Sequence, residues 1–76
     1  MTVIQAILLS KEFYDKNQAE AYIKRHKYKP IKKVRITTQY YRYRIKEPDY
    51  DLYDYRTITL KTGVKAIVGN LHFEMY

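Results

Sequence analysis

The segment Val3-Ile-Gln-Ala-Ile-Leu-Leu9 constrains the fold of this chain more than any other. Read as a strand, its period of two sets Val3, Ile7 and Leu9 on one side and Ile4, Ala6 and Leu8 on the other, with Gln5 the only polar intrusion. A strand apolar on both sides belongs in the middle of a sheet, covered by a helix on one side and by something else on the other. A single domain spanning all 76 residues has little left with which to build that second cover, so another subunit is expected to supply it. A chain this small buries only ~60% of its unfolded surface. There is no Cys, which excludes disulfides and thiolate metal sites, and His26 and His72 stand too far apart in sequence to suggest a metal centre. Packing by the ten Tyr and self-association are the remaining sources of stability.

A helix is expected to begin at Asp15. Asp15-Lys-Asn-Gln18 fits a capping box, with Tyr14 and Ala19 placed as a hydrophobic staple. Ala19, Tyr22, Ile23 and His26 recur at i, i+3, i+4, i+7 and form one core-facing stripe, which makes His26 a partly buried helix-end residue rather than a ligand. Lys24, Arg25 and Lys27 suit the negative end of the helix dipole, and Pro30 stops the helix from continuing.

Four more strands follow. Lys32 to Thr37 points Val34 and Ile36 inward and Lys33, Arg35 and Thr37 outward. A turn near Thr37-Thr38 joins it as a hairpin to Tyr40–Lys46, in which Tyr41, Tyr43 and Ile45 face the core. Tyr40, Arg42, Arg44 and Lys46 then lie on the opposite face, alongside Arg35 from the partner strand. Glu47 to Tyr55 reads as an acidic loop, Arg56 to Leu60 as a strand, Lys61-Thr-Gly63 as a turn, and Val64 to Val68 as a last strand closed by Gly69-Asn70. The tail Leu71 to Tyr76 is apolar enough to dock. The order β-α-β-β-β-β defines an α+β domain: one helix on a mostly antiparallel sheet of about five strands.

Charge is unevenly spread. Between Lys16 and Lys46 stand eleven Lys or Arg and a single acid, Glu20, within a net charge of +7 for the whole chain. Glu47, Asp49, Asp51 and Asp54 follow with no base among them until Arg56. Such asymmetry speaks about partners rather than fold.

The order of these signals resembles a small uncharacterised domain of tailed phages and large nucleocytoplasmic DNA viruses. Its opening is an apolar strand with an internal Gln, an aromatic, a capping Thr and a helix ending in Trp-Leu-Lys-x-His-Gly. This chain offers Val3 to Leu9, Phe13-Tyr-Asp15 and Tyr22-Ile-Lys-Arg-His26. The later pattern, an aromatic-Arg-aromatic-Arg strand, a Pro, an Arg-Thr pair and an apolar strand ending in Gly, is similar to Tyr41-Arg-Tyr-Arg44, Pro48, Arg56-Thr57 and Val64 to Gly69. Tyr22 replaces the Trp, and Lys27 stands in place of the Gly, at roughly 1 kcal/mol if that position is left-handed. The resemblance implies the fold and a viral setting, in a virion or in the cytoplasm or viral factory of an infected cell, rather than an activity.

Nothing in the chain resembles a phosphate-binding Gly loop or a Ser/His/Asp set, so no catalytic residue and no cofactor are assigned. Asp49-x-Asp51-x-x-Asp54 imitates a calcium loop, but three Tyr and a Pro stand where that loop needs a Gly. No metal is expected. No stretch reaches the ~18–20 apolar residues that cross a membrane, and the N-terminus lacks the basic region of a signal peptide. What remains is binding. Arg35, Arg42 and Arg44, extended by Lys32, Lys33 and Lys46, can contact phosphates, and Tyr40, on the same face, can stack on a base. The expectation is sequence-independent nucleic-acid binding, DNA foremost, by a homodimer. The alternative is a structural protein–protein module in which the acidic loop of one copy docks on the basic face of another.

Overall fold

The computed structural model describes residues 2–71. Five strands and one helix follow the expected order: β1 Thr2–Ser10, α1 Lys16–Arg25, β2 Arg35–Ile36, β3 Tyr40–Arg44, β4 Tyr53–Lys61 and β5 Val64–Leu71. They form one antiparallel sheet, β2-β3-β1-β5-β4, with β1 in the centre. The fold is α+β, dominated by its sheet.

The helix starts as its sequence requires. The Asp15 carboxylate accepts from the Gln18 backbone N–H at 2.8 Å, and the Asp15 N–H donates to Gln18 Oε1 at 2.9 Å. It ends in a Schellman motif, in which the Tyr28 N–H donates to the Ile23 carbonyl and the Lys27 N–H to the Lys24 carbonyl. Lys27 takes the left-handed conformation at φ 60°. Ala19, Tyr22 and Ile23 are buried against the sheet, but His26 is exposed, not partly buried. Its ring lies 4.1 Å from that of Tyr22 and 6.1 Å from that of Tyr28, so aromatic stacking rather than the core holds it.

Under the helix lie Ile7 and Leu9 of β1, Tyr43 of β3, and Val64, Ala66 and Val68 of β5. Ile4, Tyr41, Ile45, Val34 and Ile58 pack at the margin. The expected period of two fails once within β1. The β1–β5 register shifts between Ile4 and Ala6, which makes Gln5 the extra residue of a bulge. Ile4 therefore joins Ile7 and Leu9 on the helix side, and Val3 joins Ala6 and Leu8 on the other, which exchanges the expected positions of Val3 and Ile4. Gln5 is 3% exposed. Its carbonyl accepts from the Ile45 and Lys46 N–H groups, and its Nε2 donates to the Lys46 carbonyl at 3.1 Å.

Other boundaries differ from expectation. β2 keeps only Arg35 and Ile36, and Ile36 is 52% exposed on this edge strand, where it lines an open groove with Lys16 and Glu20 of the helix. β4 begins at Tyr53, inside the expected acidic loop, and β5 runs through Gly69 and Asn70 to Leu71 instead of closing there. Gly69 continues the strand because the Tyr55 ring and the Tyr53 Cβ occupy the space of a side chain: a Cβ on Gly69 would lie 2.6 Å from Tyr55 Cε1. The rest of the expected docking tail, His72 to Tyr76, lies outside the described residues. No helix among the described residues is long and apolar enough to cross a membrane.

Candidate nucleic-acid interface

The sheet side away from the helix carries the expected cationic row. The hairpin register sets Arg35 directly opposite Arg42, and β3 adds Arg44 two residues on. The turn that fixes this register is closed by Thr37, whose N–H donates to the Tyr40 carbonyl at 2.9 Å and whose Oγ1 accepts from the Tyr40 N–H at 3.0 Å. The segment entering β2 is tied to the exit of β3 by the Ile31 N–H, which donates to the Arg44 carbonyl. These bonds draw Lys32 and Lys33 beside the three arginines. Lys32, Lys33, Arg35, Arg42 and Arg44 together line a concavity of about 290 Å³.

A like-charged pair directly across two strands is unfavourable, and little here offsets it. Glu47 reaches the rim, with Oε2 3.3 Å from Lys32 Nζ and Oε1 3.3 Å from Arg44 Nη1. Arg42 Nε is buried and has no hydrogen-bond partner. A buried donor left unmade costs about 1–3 kcal/mol. The concavity thus holds five cations, one partly engaged carboxylate and one idle donor, an arrangement complementary to an anion with several acceptor oxygens.

Of the residues singled out in the sequence, Lys32, Lys33, Arg35, Arg42 and Arg44 meet in this concavity. Tyr40 stands on the same sheet side, half-buried, with Lys65 Nζ 5.8 Å from its ring centroid. Lys46 departs from the group. It lies past the end of β3, 5.5 Å from the Tyr53 ring centroid, along the 46–53 loop. Lys65 completes the basic surface. Lys65 could have been found by aligning β5 with β1, since Lys65 lies opposite Leu8, and Leu8 opposite Arg42.

The acidic loop is organised by its own backbone. The Asp49 carboxylate accepts from the Asp51 and Leu52 N–H groups, and the Asp49 N–H donates to the Tyr55 hydroxyl at 2.8 Å. Among the described residues no group of three His, Asp or Glu is placed to hold a metal ion. Two tyrosines titrate away from their ordinary range. Burial pushes the Tyr43 hydroxyl up, reinforced by its 2.7 Å hydrogen bond to Glu20 Oε2 and by that carboxylate's charge. Burial likewise raises Tyr22. Both belong to the helix–sheet core rather than to the basic surface.

Comparison with known proteins places nothing beside this chain: no family model, curated protein or solved structure matches it.

Proposed function

We propose that this protein acts by binding nucleic acid, chiefly DNA, through its phosphate backbone and without reading sequence. The five-cation concavity at the β2–β3 edge, with the unpartnered Nε of Arg42 inside it, carries this reading. A phosphate would supply the missing acceptor and relieve the repulsion between Arg35 and Arg42, and arginine forks suit its geometry. Nothing in the chain resembles a base-reading motif, so contact chiefly to backbone is expected. The role is one of binding rather than catalysis, and the resemblance to a viral domain points to a virion-associated protein.

Homodimerisation is part of the proposal, and β4 is the surface that favours it. Nine residues long, β4 forms one edge of the sheet, and among the described residues no strand pairs with its outer side. An edge this long, without Pro and without cover among the described residues, invites another strand. Antiparallel pairing of two β4 strands about a two-fold axis would keep both basic surfaces on one side of a continuous sheet.

Binding of a labelled duplex across a salt titration tests the first part. Affinity should fall steeply with salt, and Arg42→Ala should flatten the log–log slope by about 0.9. Absence of binding at ~50 mM salt would refute the reading. A concentration-independent monomer in sedimentation would refute the dimer. The grip of Glu47 on Lys32 and Arg44 favours a second reading, in which the acidic loop of one copy engages the basic surface of another. In that case added duplex and self-association would compete.

A further inference from the structure

The sheet side opposite the helix is not only basic. Its middle is apolar: Leu8 of β1 and Ile67 of β5 lie half-buried between the cationic β3 edge and the threonines of β4, and they do not contribute to the helix-side core. Across one row of the register run Arg35, Arg42, Leu8 and Lys65. Tyr40, opposite Ser10, stands in the next row on the same side, with Lys65 beside its ring. No strand position on this side is an Asp or Glu among the described residues. Among the described residues the nearby acids lie in loops: Glu47 pairs with Lys32 and Arg44, and Glu12 lines a hollow with Tyr40.

Three kinds of cover would remove this apolar strip from water. A second copy laid face to face would set Arg35, Arg42, Arg44 and Lys65 against their own equivalents, and like charges across an interface weigh against that partner. A nucleic-acid duplex satisfies the cations but keeps its bases stacked inside, so that only hydrated phosphates and sugars would meet Leu8 and Ile67. A single strand offers both chemistries at once. Its phosphates can sit in the concavity while its unpaired bases lie flat on Tyr40 and the neighbouring aliphatic surface.

We propose that this side of the sheet takes single-stranded nucleic acid, with phosphates held by Arg35, Arg42 and Arg44 and bases resting on Tyr40, Leu8 and Ile67. The inference rests on the phosphate-binding reading above and sharpens it. Charge complementarity selects the occupant, and the apolar strip selects its strandedness. Lys65 is suited to a second phosphate, because it stands across β1 from Arg42 in the same row and its ammonium lies beside the ring that would receive a base.

The test uses the full chain and labelled mixed-sequence oligonucleotides of about 16 nucleotides, single-stranded or annealed, read by fluorescence anisotropy at equal salt. The single strand should bind about tenfold more tightly than the duplex. Tyr40→Ala should weaken single-strand binding by roughly fivefold or more and leave duplex binding nearly unchanged, whereas Tyr40→Phe should retain the preference. If Tyr40→Ala fails to fold, Tyr40→Leu fills the space without a ring and should show the same selective loss. Arg42→Ala should weaken both ligands. Equal affinity for the two forms, or an equal loss on both in a folded Tyr40 variant, would overturn the single-strand proposal while leaving phosphate binding intact. Failure to bind either form at ~50 mM salt would overturn both readings. Binding to phosphatidylserine vesicles without binding to oligonucleotide would also overturn both and assign the surface to lipid.

Discussion

Glu47→Gln isolates the competition between the chain's own carboxylate and an incoming phosphate. Glu47 engages Lys32 and Arg44 at 3.3 Å each, with Glu47 58% and Lys32 57% exposed. Pairs this exposed are worth about 0–1 kcal/mol, so the substitution should change unfolding stability by less than ~0.5 kcal/mol. Its effect on binding is larger because Glu47 neutralises one of the concavity's five cations. If each free cation engages one phosphate, the wild type presents about four, and its log–log salt slope should be about −2.8 for a single strand or −3.6 for a duplex. The variant presents about five, with slopes near −3.5 and −4.5. A gain of up to ~5-fold at ~50 mM salt, the equivalent of ~1 kcal/mol, should shrink about threefold by ~200 mM. Anisotropy titrations at four salt concentrations resolve this difference. An unchanged slope, or a gain independent of salt, would refute the idea that Glu47 and phosphate share the same cations.

Lys27→Gly removes the only positive-φ side chain among the described residues and should stabilise the fold by up to ~1 kcal/mol in urea unfolding. Gly69→Ala forces a methyl into the Tyr55 ring and should cost about 1–3 kcal/mol, with part recovered in the Gly69→Ala/Tyr55→Leu double variant. Tyr43→Phe leaves Glu20 without its phenolic donor and should lower stability at neutral pH by ~1 kcal/mol. Because the folded state holds the Tyr43 proton more tightly than an unfolded tyrosine, which ionises near pH ~10, this contribution is complete below that pH and is lost as pH rises above it. Denaturation midpoints followed from neutral to alkaline pH should therefore fall more steeply for the wild type than for Tyr43→Phe.

The elements legible in the sequence are those whose signals are local. Asp15 and Gln18 satisfy each other's backbone within one turn, and the alternation of Tyr41 and Tyr43 with Arg42 and Arg44 needs only a strand to sort itself. The central place of β1 followed from its two apolar sides. What the pattern could not convey depends on distant partners. Gly69 reads as a stop, yet it continues β5 because Tyr55, fourteen residues earlier, fills its place. Val34 and Ile36 alternate correctly, but the groove between them and the helix stays open, which leaves Ile36 exposed. In the site, the arginines and Lys32 and Lys33 are visible from the hairpin, whereas Lys65 joins them only through the pairing of β5 with β1. Lys46 left the row because the strand ends at Arg44, where Gln5 takes over the following N–H groups.

Gln5 also separates what the core needs from what the basic surface needs. Were it deleted, Ile4 would still fall beneath the helix and Ala6 on the opposite side, because an unbulged strand alternates in the phase that the bulge restores. Hydrophobic packing thus gives no reason to keep a residue there. The chain at Ile45 and Lys46 does: both N–H groups end on the Gln5 carbonyl, immediately before Glu47 reaches back to Lys32 and Arg44. The spare residue in the most apolar strand is the anchor from which the concavity's own acid is hung. A shortened β1 would lose the Gln5 Nε2 bond to the Lys46 carbonyl, one residue before that acid.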